Sequence, residues 1–452
     1  MTATVPPGGE GIAAVEAPTS DVPTVVPLGE GLAAKRALRN SRIRGIAFLA
    51  LGVLAFALAS GSFAVEALFR FNLYNTGSDR FVLSTTVGVL WLISGLAAAL
   101  VGGLQIWRGA TFRWRPWLLV LLAPFVFATF GSLLDGTTAN LTSAFRNTLE
   151  LATPLTLGAL AGILSERSGM FNIALEGKML VGACVSVVIG SVVLGATGDV
   201  LVATVAGVGA AMIAGALLGL LLAWLGIRHK VDQIIAGTVI NIGALGITNF
   251  LFLRVLGQNP QLNQPPTEAV APMQLPFLAD IPVLGPILFS LRPYVYVAVI
   301  LVLVLTYLIY RTRWGLRLRA SGEKPAAAGT VGINVLRIRY RALLYAGLLC
   351  GLAGSYLPLA TAGSFQMNMT AGKGFIALAA VIFGAWHPIG AFGAALVFGF
   401  ADAAQTLLST LGVQVPPQLL NSVPYLITII VVAGVVGRVR GPASAGQPYE
   451  QG

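Results

Sequence analysis

The chain has 452 residues, of which 56% are hydrophobic and only 10% charged, and its mean hydropathy is +0.84. Soluble domains run near 25% charged residues, so an assembly of soluble domains is excluded and the bilayer becomes the solvent to reason against. The net charge of +11 is then a question of which loops hold the bases, and no nucleic-acid partner is expected.

Residues 1–34 are rich in Pro, Gly, Ala, Val and Thr, with four acids and no base. They lack the basic start of a signal peptide and are read as a disordered cytoplasmic tail. A basic cluster follows (Lys35, Arg36, Arg39, Arg42, Arg44), and apolar runs begin, each near the roughly 20 residues that a hydrocarbon core requires. Helices alone satisfy such backbone in lipid, because strand-like alternation is absent. The expected spans are 45–65, 82–106, 116–134, 148–165, 177–196, 200–227, 234–256, 293–311, 341–362, 370–386, 388–411 and 422–437. The fold class is therefore all-α, a polytopic membrane protein of ten to twelve crossings. The segments 148–165 and 370–386 are short and Gly-rich, as re-entrant or discontinuous spans are.

Alternate loops hold 21 of the 28 bases, which places both termini in the cytoplasm and the Pro-rich stretch 257–292 outside. The apolar runs holding Cys184 and Cys350 make both cysteines core residues, and with His229 and His387 they are too few for a metal site. No metal is expected.

The largest polar insertion on the cytoplasmic side is RTRWGLRLRASGEKPAAAGTVGINVLRIRYR, from Arg311 to Arg341. Pro325 suits a first turn, Ala326, Ala327 and Ala328 are strong helix formers, and Gly332 fits just past a helix over Pro325–Val331. Ringed by eight bases, such a stub suits either the cleft of another protein or a layer of anionic headgroups. The residues alone leave both open.

The stretch GEKPAAAGTVGIN resembles the cytoplasmic coupling-helix motif of ABC importer permeases. Glu323, Ala326, Ala327, Gly329 and Gly332 stand at its places, although Lys324 and Pro325 separate the Glu from the alanines, and Gly322 and Pro325 are counted with them as coupling residues. LSERSGMFNIALEGKMLVGA (164–183) and NMTAGKGFIALAAVIFGAWHPIGAFGAALVFGFADAAQ (368–405) resemble permeases of nucleoside ABC importers, within the branch that also serves ribose and branched-chain amino acids. The resemblance covers roughly 145–440, as a permease core with its coupling segment at 312–340. About three further spans would lie in 35–144 and a short cytoplasmic tail in 441–452.

The resemblance implies a multi-pass protein of a prokaryotic plasma or inner membrane, working with an ABC ATPase subunit, a second and related permease subunit, and an extracytoplasmic lipoprotein receptor of the basic-membrane-protein type. Lipids are its surroundings. The chain carries no G-x-x-x-x-G-K-[ST] string, so no cofactor is expected on it, ATP being used by the partner, and no catalysis is expected.

Several polar residues inside the apolar runs are candidates for the substrate pathway. Asn172 and Glu176 lie near Lys178 where a helical pair turns, and Glu176 needs a donor, with Lys178 or Asn172 in reach. It serves either as an interior lock or as a substrate contact. The Glu166–Arg167 pair is read as solvated. Asn241 sits on a helix face with Asn249. Phe365, Gln366 and Asn368 offer an aromatic face and amides that suit a nucleobase, and equally suit capping. Asp402 lies well inside its span. An ion-coupled secondary transporter, in which Glu176 or Asp402 titrates, is the alternative, as is an ABC permease for a sugar such as ribose. Gly215 and Gly219 form a GxxxG, a signal for close helix packing.

Overall fold

A computed structural model describes residues 28–74, 80–112, 117–134, 138–411, 422 and 441–449. The expected span at 422–437, bar its first residue, and the tail up to residue 27 lie outside the described residues. The chain forms two compact units, one from the sequence up to Ala64 with Thr86–Phe130, the other from Val65–Thr85 with Gly131 onward.

The first unit contains α1 (Leu28–Ser60) and α2 (Val87–Arg108). Helix α1 starts seven residues inside the expected disordered tail, over LGEGLAA, where Leu and Ala supply helix propensity. The two helices approach through small residues: a Cβ on Gly52 or Gly102 would sit 3.2 or 3.0 Å from the facing backbone. Gln105 donates to Ser41 Oγ across them, and Trp91 meets Phe125 of α3 (Leu118–Leu134) edge to face.

The second unit opens on strands that the sequence reading did not contain. β1 (Glu66–Asn72) pairs with β2 (Arg80–Thr86) on one side and in parallel with β3 (Thr138–Asn140) on the other. The expected span 82–106 therefore yields its first residues to β2, while β1 lies just past the end of the expected span 45–65. EALFRFN and RFVLSTT are rich in aromatic and β-branched residues, which outweighs their apolar character as helix.

Helices α4 (Leu141–Arg167), α5 (Leu175–Thr197), α6 (Val200–Ala223), α7 (Gln233–Leu251) and α9 (Pro293–Arg311) follow, with the short β4 (Met273–Gln274), α8 (Leu284–Leu288) and β5 (Ser290–Leu291) between the last two. Then come α10 (Arg313–Glu323), α11 (Pro325–Thr330), α12 (Val335–Tyr356), α13 (Lys373–Phe383) and α14 (Pro388–Thr410). Among the described residues nine helices are long and apolar enough to cross a membrane. Helix α4 is not short: its 27 residues reach about 40 Å. Helix α13 has 11 residues, about 16 Å, and so spans only part of a bilayer.

Spans α4 and α12 are the most deeply buried. Around them the core gathers Leu155, Leu160, Met179, Ala346, Tyr356 and Phe398. Helix α12 crosses α6 at glycines: a Cβ on Gly215 would lie 2.3 Å from Gly347 O, and one on Gly219 2.3 Å from Leu343 O. Lipid supplies no hydrophobic drive between helices, so this close backbone approach, with its dispersion contacts, is what holds them. The expected role of the GxxxG is met.

Candidate functional site: a bracketed polar seam and an arginine-rich helix pair

Glu176 lies in the first turn of α5, 8% exposed. Its Oε1 accepts from Thr370 Oγ1 at 2.5 Å and Gly372 N at 2.9 Å, and its Oε2 from Gly374 N at 2.6 Å. The carboxylate thus sits on the free amides that open α13, where the positive end of a helix favours an anion. Gly372 and Gly374 make the approach feasible: Gly372 has φ 84, and a Cβ on Gly374 would fall 2.4 Å from Glu176 N. The expected donors, Lys178 and Asn172, are not its partners. They bond each other, Nζ to Oδ1 at 2.7 Å, and both are fully buried.

The other pathway candidates are occupied in the same manner. Asn241 Oδ1 accepts from Gly177 N at 2.8 Å, and its Nδ2 donates to Ile173 O at 2.9 Å, clasping the α4–α5 turn from α7. Gln233 adds a third clasp, accepting from Phe171 N at 2.7 Å. Phe365 is fully buried against Phe252, with its N–H and C=O both held by the Asn263 amide. Its ring is shut away from any solute in this conformation. Gln366 and Asn368 are exposed beside it, and Asn368 has φ 52. Asp402 is half-buried on α14, within electrostatic reach of Lys373 at the start of α13. Glu176, Thr370, Lys373 and Asp402 therefore gather around one broken helix start, while Asn172 and Asn241 belong to the turn beside it.

At the end of the unit that carries Arg167, two helices form the segment expected to couple. Thr312 caps α10, and Gly315 allows the turn out of α9, where a Cβ would meet Leu308 O at 2.2 Å. The sequence reading contains α11 but not the longer α10, whose RWGLRLR pattern puts Arg317 outward and Leu318 inward. Gly322 presses on the end of α4, since its Cβ would lie 2.3 Å from Arg167 O, and Ser321 Oγ donates to Ser168 O. In α11 Ala328 is buried, while Ala326 and Ala327 face outward with Val331 just beyond. Gly332, at φ 80, closes the helix as Ile333 N donates back to Ala328 O. Glu323 is exposed at the junction, and Pro325 and Gly329 flank the small helix half-buried.

A third cluster escaped the sequence reading. Glu166 and Arg167 are not a solvated pair: Glu166 is 1% exposed and accepts from Trp386 Nε1. Arg167 donates to Trp386 O, Ala385 O and Tyr310 Oη. Ala385 and Trp386 hold φ 56 and 54, and these bonds fix that unusual turn. His387 stacks on Tyr310 at 4.7 Å. Burial, and after it the Arg167 charge, hold the His387 imidazole below its ordinary value. The aromatic-rich GAWHP was the available signal, yet nothing local to it points to Glu166, 220 residues away.

The family described as the permease component of branched-chain amino acid transport systems matches residues 144–432. The chain is 42% identical to the guanosine ABC transporter permease protein NupQ of Bacillus subtilis, over 68% of this chain and 95% of that one. It is 37% identical to the nucleoside ABC transporter permease protein NupC of Lactococcus lactis, over 67% and 95%. It is 32% identical to a putative glucose ABC transporter permease protein, TsgC13, of Haloferax volcanii, over 64% and 91%. No solved structure matches. With its multi-pass helical core, its broken helix start and its paired polar-end helices, the chain belongs to this family of transport-system permease components.

Proposed function

We propose that the protein is one permease subunit of an ATP-driven ABC importer and forms half of the path for a nucleoside. The observation that carries this reading is helix α11, a small rigid stub with Ala326, Ala327 and Val331 exposed at an arginine-rich end of the unit. Small outward side chains let a partner's cleft close tightly on the backbone, and the seating of Gly322 on α4 gives a push on the stub a direct route into the core. The nucleoside class comes from the guanosine and nucleoside permeases, which are more similar to this chain than the putative glucose permease. The partners are an ABC ATPase at α11, a second permease subunit and an extracytoplasmic lipoprotein receptor. Both termini are cytoplasmic, on the side of the Arg311–Arg341 bases.

In this mechanism ATP-driven closure of the ATPase pair shifts α10–α11. The α4 end moves with them, and access at the broken start of α13 alternates between the two sides. Glu176 keeps α13 attached to α5 throughout.

Two substitutions test the stub. Glu323→Arg reverses its exposed charge, and Gly332→Leu puts a side chain on a left-handed residue at about 1–2 kcal/mol of strain. In proteoliposomes containing the whole complex, both should insert normally and lose most nucleoside uptake. Wild-type uptake in both variants would contradict the assignment.

A further inference from the structure

The C-terminal segment 441–449, GPASAGQPY, has no helix-forming run and lies along the same face as α10 and α11. Its contacts are specific. Ser444 N donates to Gly322 O at 2.9 Å, and Ser444 Oγ bonds Gly322 O at 2.5 Å and Ser321 O at 3.3 Å. Ala443 N reaches Glu323 Oε2 at 3.4 Å. Gly446 N donates to Gly169 O, just past the end of α4. From α12, Arg339, only 1% exposed, donates Nη1 to Gln447 O at 3.1 Å and holds its guanidinium 5.9 Å from the Tyr449 ring centre. The Tyr449 hydroxyl rests against Gly329 of α11, where an added Cβ would come within 2.5 Å. Ser444 itself is 4% exposed.

These contacts join three elements that neighbour one another at this face: the α10–α11 junction, the end of α4 and the start of α12. Helix α11 packs on α10 and α12. A buried arginine spent on a tail carbonyl is costly unless the tail stays in place, and a serine that occupies two carbonyls of the junction leaves the junction little freedom to bend by itself.

We propose that residues 441–449 are a coupling brace, which makes the junction, α4 and α12 move as one body when the ATPase displaces α11. Ser444 and Arg339 are positioning residues in it. The inference rests on the importer reading above and adds to it the part that carries motion.

The test uses the complete complex in proteoliposomes, with nucleoside uptake and ATP hydrolysis measured in the same preparation. Truncation after Arg440, and separately Ser444→Ala, should leave hydrolysis near wild type while uptake per ATP falls about three- to tenfold, the scale of losing one or two neutral hydrogen bonds. Ser444→Thr, which keeps the hydroxyl, should restore the ratio, and a synthetic peptide of residues 441–452 should restore it in the truncated complex. An unchanged ratio in both Ser444→Ala and the truncation overturns the brace, as does a proportional fall of uptake and hydrolysis together, the mark of a merely structural tail. A wild-type complex that hydrolyses ATP without importing would instead bring down the importer reading, and the brace with it.

Discussion

A carboxylate inside a spanning helix must find donors or lose its charge, and Glu176 finds three, two of them amides that α13 would otherwise leave unpaired. Glu176→Gln puts an NH2 donor where one carboxylate oxygen accepts. The expected cost is about 1.5–3 kcal/mol, that of one hydrogen bond to a charged group, read as a lower apparent melting temperature in detergent. An unchanged melt would mean that Glu176 does not anchor α13. The sequence announced that Glu176 needed a partner but not which one, because Thr370 lies 194 positions away. Asn241 and Phe365 teach the same lesson: an amide or ring within an apolar run signals a polar or aromatic task, and only the fold decides between bracket and binding surface.

His387 gives a pH dependence with a definite sign. Its folded-state value is depressed below the ordinary 6.5, by burial first and Arg167 second, so the unfolded chain takes up a proton more readily than the folded one. Stability from this group is complete above pH 6.5, is lost as the pH falls through that value, and levels off once the folded form also protonates. Between pH 7.5 and 5.5, His387→Gln should therefore lose less thermal stability than wild type. Parallel melting curves would contradict the assignment.

At the scale of elements, helix existence was legible from apolar run length, and a close helix approach from the spacing of Gly215 and Gly219, though not that its partner is α12. Gly215→Leu should disrupt this crossing, because even the first added carbon falls 2.3 Å from a carbonyl oxygen. The expected loss is about 1–3 kcal/mol or more, seen as poor monodispersity on size exclusion, whereas Gly209→Leu, where nothing lies within 4 Å, should behave as wild type. Equal behaviour of the two would contradict the close crossing. The small sheet was not legible, since β2 is apolar enough to pass as the start of the span 82–106, β1 falls in the gap between two expected spans, and the parallel partner of β1, β3, is three residues long. Helix α10 was hidden by its five basic flanking and internal residues, which read as loop until Leu316 and Leu318 are placed on opposite sides, one exposed and one buried.

At the scale of the whole molecule, the matched family region begins at residue 144, close to the start of α4, and holds the seam, the helix pair and the core. The resemblance carried by the stretch GEKPAAAGTVGIN and by residues 164–183 and 368–405 had already pointed to this region, because such stretches are local in sequence. What was not local was the set of clasps, which come from α7 onto the α4–α5 turn and from the C-terminal segment, itself held by Arg339 of α12, onto the α10–α11 junction. The account holds that α11 receives work from an ATPase and that the core turns it into nucleoside movement. The most direct check is radiolabelled guanosine uptake into proteoliposomes holding the purified complex, with a wild-type ATPase or with one whose Walker lysine is replaced. The account predicts ATP-dependent accumulation with the first and none with the second; equal accumulation with both, or uptake driven by an ion gradient with no ATPase present, would contradict it.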